Sequence, residues 1–237
     1  MVNGKTCFEE PSINEAYFFK SERYARIKYT PSTNDDTITY GPTAISAEWK
    51  TLVQAGFSSI DAAFAIRDKD HANQIYVFSG TSYVRIKFFP GTPDEKILNG
   101  PTSIVSGWAS LDKAGFKSVD AVLPIMNGGY EGQAYVFKGD QYVRVKVNPG
   151  VHRGDTITYG PASIKENWTS LAKVGFKTVD AVLSVSGAKG YENQAYFFYG
   201  DEYVRVKVAP GVRGGDEITY GPAKIAENWK SLKSLGW

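Results

Sequence analysis

The sequence predicts an all-β fold: a four-bladed β-propeller, each blade made of four antiparallel strands and a short C-terminal helix. Three observations predict it. Gly-Pro recurs at Gly41-Pro42, Gly100-Pro101, Gly160-Pro161 and Gly221-Pro222, at spacings of 59, 60 and 61 residues. Tryptophans follow with the same spacings at Trp49, Trp108, Trp168 and Trp229. Upstream of each pair lies a Tyr-x-Arg-x-Lys run, starting at Tyr24, Tyr83, Tyr142 and Tyr203. The units fill all 237 residues as one domain, with blades at approximately 2–57, 58–116, 117–176 and 177–237. A four-stranded unit buries its faces only against neighbours, and four near-equivalent units without distinct caps close into a ring.

The third unit shows each element in order. The apolar run "VDAVL" (119–123) reads as a strand buried on both faces, and "QAYVF" (133–137) as a second. Gly139-Asp140 makes a turn into "QYVRVKV", whose alternation places Tyr142, Arg144 and Lys146 on one face and Val143, Val145 and Val147 on the other. That pattern is a half-buried strand after a hairpin. A Pro-Gly turn leads to a short strand "TITY" (156–159). Pro161 then suits the first turn of a helix. Along that helix Ile164, Trp168 and Leu171 fall at i, i+4 and i+7 on one face. Gly175 suits a left-handed helix end.

Composition narrows the function. With 42% hydrophobic residues the chain can build a large core, and 27 basic against 25 acidic residues give no general attraction for polyanions. The single cysteine, Cys7, excludes an intrachain disulfide. No stretch resembles a signal peptide or a transmembrane helix, so the expected location is cytoplasmic. Enzyme motifs are missing, and the two histidines, His71 and His152, sit in unrelated loops. The expectation is therefore no enzyme. The tyrosine-arginine-lysine runs of four blades point in four directions and form no stripe for nucleic acid.

The D-A-x-x, Q/E-A-Y-x-F and Y-x-R segments, with a late aromatic helix, resemble hemopexin repeats along the whole chain. Among those proteins the chain is most similar in character to the legume seed albumins, although it lacks the cysteine pair that joins first and last blades in animal relatives. The resemblance implies a non-enzymatic albumin for storage or small-ligand binding, with a polyamine such as spermine, or haem, as ligand. It also implies a homodimer and ions in an axial channel. The alternative is a plant defence protein or lectin that recognises a glycan or insect target through its loops. The acids Asp36, Glu95, Asp155 and Asp216, each six residues before a Gly-Pro proline, read as turn carboxylates or as a polycation site.

One further repeat bears on the channel. Asp61-Ala62, Asp120-Ala121 and Asp180-Ala181 open the first strands of units two to four, and Asn3-Gly4 matches them in unit one. Small residues suit the crowding at the axis. The backbone carbonyls of Asn3, Asp61, Asp120 and Asp180 would then ring the channel and hold Ca²⁺, or Na⁺ or another monovalent ion. Neutral carbonyls predict a weak calcium site, on the order of 10⁻⁴–10⁻³ M. In this alignment Lys5 stands level with Ala63, Val122 and Val182, against a second, deeper ion. The repeated tryptophans read as core anchors, and Trp237 as an aromatic without a repeat counterpart. The Asn167-Trp168-Thr169 sequon overlaps that core and reads as unused.

Overall fold

The computed structural model describes residues 4–10, 15–185 and 188–237. The first blade holds β1 (Lys5–Glu10), β2 (Glu15–Lys20), β3 (Arg23–Lys28) and β4 (Thr37–Ala44), then α1 (Ile45–Glu48) and α2 (Lys50–Gln54). The second holds β5 (Ala62–Ala65), β6 (Gln74–Ser79), β7 (Ser82–Phe88) and β8 (Glu95–Ser103), then α3 (Ile104–Gly107) and α4 (Ala109–Ala114). The third holds β9 (Ala121–Pro124), β10 (Gln133–Lys138), β11 (Gln141–Lys146) and β12 (Thr156–Ser163), then α5 (Ile164–Asn167) and α6 (Thr169–Lys173). The fourth holds β13 (Ala181–Ser184), β14 (Gln194–Tyr199), β15 (Glu202–Lys207) and β16 (Glu217–Lys224), then α7 (Ile225–Asn228) and α8 (Lys230–Leu235).

Each sheet is an antiparallel meander in sequence order. The first strands β1, β5, β9 and β13 touch one another in a closed ring, which places them at the axis. This is the four-bladed propeller that the repeat predicts. Four hydrophobic clusters hold it together, and each lies between two adjacent blades. Trp168, 4% exposed, shows why: its ring contacts Tyr135 of its own blade at 5.0 Å and Phe197 of the next at 5.3 Å. Both faces of each sheet are therefore packed. Tyr142 and Val143 are both buried despite facing opposite ways, so the strand expected to be half-buried is exposed only at its two ends, Gln141 and Lys146.

Three local expectations are corrected. Pro161 does not begin a helix. The strand runs through Gly160-Pro161, which bulges out between the pairs Tyr142–Ala162 and Arg144–Tyr159, and the helix starts at Ile164. Glycine is required there, because φ is +88° and a Cβ would lie 2.8 Å from the Tyr142 carbonyl oxygen. The helix itself breaks at Trp168 into α5 and α6. Trp237 does have a repeat counterpart. It follows its helix as Phe57, Phe116 and Phe176 follow theirs, and its amide donates to Leu232 as theirs do to Leu52, Leu111 and Leu171.

Candidate functional site

The axis is built from strand starts. Ala62, Ala121 and Ala181 are buried, but their methyl groups pack between blades where the sheets converge. They pair across the blade with Phe78, Phe137 and Phe198. In the first blade it is Thr6 that pairs with the matching Phe19. The residue before it, Lys5, thus stands where Asp61, Asp120 and Asp180 stand in the other blades. This corrects the alignment by two residues: Asn3 lies outside the described residues, and Cys7, not Lys5, is level with Ala63, Val122 and Val182. Phe8, matching Phe64, Leu123 and Leu183, was the sequence signal that could have fixed this register.

The aspartate side chains turn back into their own blades. Asp61, Asp120 and Asp180 accept the amides of the hairpin glycines Gly80, Gly139 and Gly200 at 2.7, 2.7 and 2.8 Å. Their own amides donate to Phe78, Phe137 and Phe198. In the first blade Ser21 replaces the hairpin glycine, and its amide donates to the Gly4 carbonyl instead. Charge around this mouth is uneven. Asp120 pairs with Lys138 at 2.7 Å. Burial pushes the Asp61 carboxyl up, only partly offset by the Gly80 amide. Lys5 is 7% exposed, and its ammonium donates to the Gly200 carbonyl at 2.7 Å and lies 5.6 Å from the Trp237 ring centre. Burial, then Lys20, pulls the Lys5 pKa down, against the attraction of Asp180 and Asp201.

Among the described residues no group of three or more His, Cys, Asp or Glu side chains is arranged to hold a metal. The carboxylates of Asp61, Asp120 and Asp180 are engaged by amides, and Lys5 stands in the fourth place around the axis.

The remaining candidates have structural partners. Each repeated acid caps a short helix of the neighbouring blade. Glu95 accepts from Thr51, Asp155 from the amides of Ala109 and Ser110, and Asp216 from Thr169 and Ser170. Asp36 does the same for Lys230 and Ser231, closing the cycle between first and last blades. The carboxylates are therefore spent on orphan helix amides, as turn or cap residues are. Arg26 and Arg144 lie in separate inter-blade clefts walled by tyrosines, and Arg205 packs over Tyr191, Tyr196 and Tyr220, which sequence reading missed. His71 pairs with Asp68 in the loop after β5. Asn167 is bonded to Tyr159 and Ser163 and is 8% exposed. No helix among the described residues is long and apolar enough to cross a membrane.

Comparison with known proteins gives the family. No family model matches the chain. It is 31% identical over 236 residues to albumin-2 of Lathyrus sativus, covering 96% of this chain and 95% of the relative. It is 30% identical over 232 residues to albumin-2 of Pisum sativum, covering 96% and 94%. Among solved structures, a 2S albumin seed protein from Dolichos superposes with a TM-score of 0.83 at 28% identity, covering 99% of this chain and 98% of that one. A plant lectin with two metal binding sites from Cicer arietinum gives 0.82 at 26%, and a Cicer arietinum albumin showing hemagglutination gives 0.79 at 25%, each over 99% of this chain and 98% of the other. With the repeats, the closed ring of four sheets and this full-length similarity, the chain belongs to the albumin-2 family of hemopexin-fold proteins.

Proposed function

We infer that this protein is a non-enzymatic storage and small-ligand-binding albumin that holds a cation, Ca²⁺ or a monovalent ion such as Na⁺, in its axial channel. The observation that carries the channel reading is the repeated turning-back of Asp61, Asp120 and Asp180. Each side chain and amide is bonded within its own blade, so the peptide oxygen at the strand start is the group left for the axis. The similar lectin with two metal binding sites is in keeping with it. The small ligand, a polyamine such as spermine or haem, and the homodimer are carried over from the family resemblance.

The test is a CaCl₂ titration against melting temperature at constant ionic strength, for wild type and Asp120→Asn. Stabilisation should follow RT ln(1 + [L]/Kd), and the variant should keep it, because the backbone oxygen survives the change. No calcium-dependent shift in wild type overturns calcium as the channel ion, and a shift lost in the variant moves the ligand to the carboxylate. A second reading, glycan recognition by the loops, has one specific observation in its favour, the similar albumin that shows hemagglutination. Red-cell agglutination that is inhibited by a free sugar would favour it over storage.

A further inference from the structure

The repeated arginines differ in what answers their charge. In the cleft between blades one and two, Glu15 holds Arg26 at 2.7 Å, and Glu48 and Glu95 line the same wall. Between blades four and one, Arg205 donates to the hydroxyl of Ser32, which follows a turn proline in the facing loop, and to that of Tyr196.

The cleft between blades three and four has neither kind of answer. The guanidinium of Arg144 lies 4.5 Å from the Tyr130 ring centre and 6.0 Å from that of Tyr159, and its Nε donates to the Thr158 hydroxyl. After the facing turn proline, Pro210, the chain has Gly211 where Ser32 follows Pro31, and glycine offers no side-chain oxygen. Gln133 stands where blade one has Glu15, and Asn167 where it has Glu48. Asn167 is already bonded to the Tyr159 hydroxyl and the Ser163 carbonyl.

The facing loop adds a second cation, Arg213. It is exposed, and its Nε donates to the Glu166 carbonyl at 3.4 Å. Arg153, on the matching loop of blade three, pairs instead with Asp112 at 2.9 Å, and α6 has Ala172 at the place of that aspartate. The carboxylate in the cleft lining is Asp216, and both its oxygens accept the amides that open α6. Among the described residues neither Arg144 nor Arg213 forms an ion pair. Two guanidinium groups thus line a cavity of about 70 Å³, room for a group of a few heavy atoms. Their planar forks match the paired oxygens of a carboxylate or a phosphate.

We propose that the cleft between blades three and four binds a small oxyanion, a carboxylate or phosphate group, between Arg144 and Arg213. The anion plays for Arg144 the part that Glu15 plays for Arg26 and Ser32 for Arg205. Tyr159 and Val212, 40% and 61% exposed, border the cleft and suit the apolar remainder of an organic anion. The site goes beyond the reading above: its ligand is opposite in charge to the axial ion, and it lies between blades and outside the channel.

The experiment is calorimetric titration of the full chain with inorganic phosphate and with acetate, at constant ionic strength kept with chloride. Wild type, Arg213→Gln and Val212→Asp are compared, with melting curves confirming that each variant is folded. Both positions are exposed, so folding should be preserved. At least one of the two anions should bind wild type one to one, and which of them binds distinguishes a phosphate from a carboxylate ligand. Arg213→Gln should weaken that binding by about fivefold or more. Val212→Asp places a carboxylate of the chain's own beside both arginines and should weaken it by about tenfold or more. If neither anion binds wild type saturably, the proposal falls. It falls equally if an anion binds both variants as tightly as wild type, and in either case the axial cation is untouched.

Discussion

Asp61 carries a cost that its counterparts share out differently. Asp120 has Lys138, and Asp180 has Lys5 nearby, but at Lys138's position the second blade has Ser79. Burial raises the Asp61 pKa above 3.8, so the folded state holds that proton more tightly than the unfolded chain. Stability from this group is therefore present at low pH and is lost as pH rises from 3.8 through the raised folded value. Asp61→Asn keeps an acceptor for Gly80 and removes the charge. Denaturant unfolding at a series of pH values should show the variant gaining on wild type as pH rises through that interval. A difference that stays flat with pH would refute the assignment. Trp168 makes a plainer case. Trp168→Ala should cost about 3–5 kcal/mol, the usual range for a buried large aromatic, read as a lowered denaturant midpoint.

At the scale of elements, the caps and bulges are the joints. Asp216 bonds the amides that open α6, so Asp216→Ala should cost about 1–2 kcal/mol in urea unfolding. An isosteric Asp216→Asn should restore part of it. Gly160→Ala should destabilise more, because the new methyl meets the backbone oxygen of Tyr142. These joints also mark the limit of what the sequence made readable. The strand–turn–strand rhythm, the core tryptophans and the blade count follow from periodicity, which is local. The Gly-Pro bulge did not, since proline after glycine suits a helix start as well as a distorted strand, and only strand pairing decides. Nor did the caps: Asp36 and Ser231 lie far apart in the chain and meet only when the ring closes. The first blade was misaligned by two residues because Lys5-Thr6 breaks the Asp-Ala pattern, and hairpin register alone restores it.

For the whole molecule, shared cores mean that no blade is stable alone. Thermal unfolding should be a single transition, with calorimetric and van't Hoff enthalpies in agreement and a mainly β circular dichroism spectrum. Two separated transitions would contradict the four shared clusters. Three of the four joints between blades are also spanned by the peptide chain. Among the described residues, the joint between blades four and one is held by side-chain contacts: Lys5 on Gly200, Cys7 on Val182, Asp36 on α8, Tyr191 on Pro31, and Trp237 against Phe18 and Phe198. Mechanically, that joint is a latch, with Lys5 and Trp237 both in it. A force that pulls Lys5 away from Trp237 would load it before any other part of the ring, so its rupture should open the circle into a row of blades, each newly exposed to tension in turn.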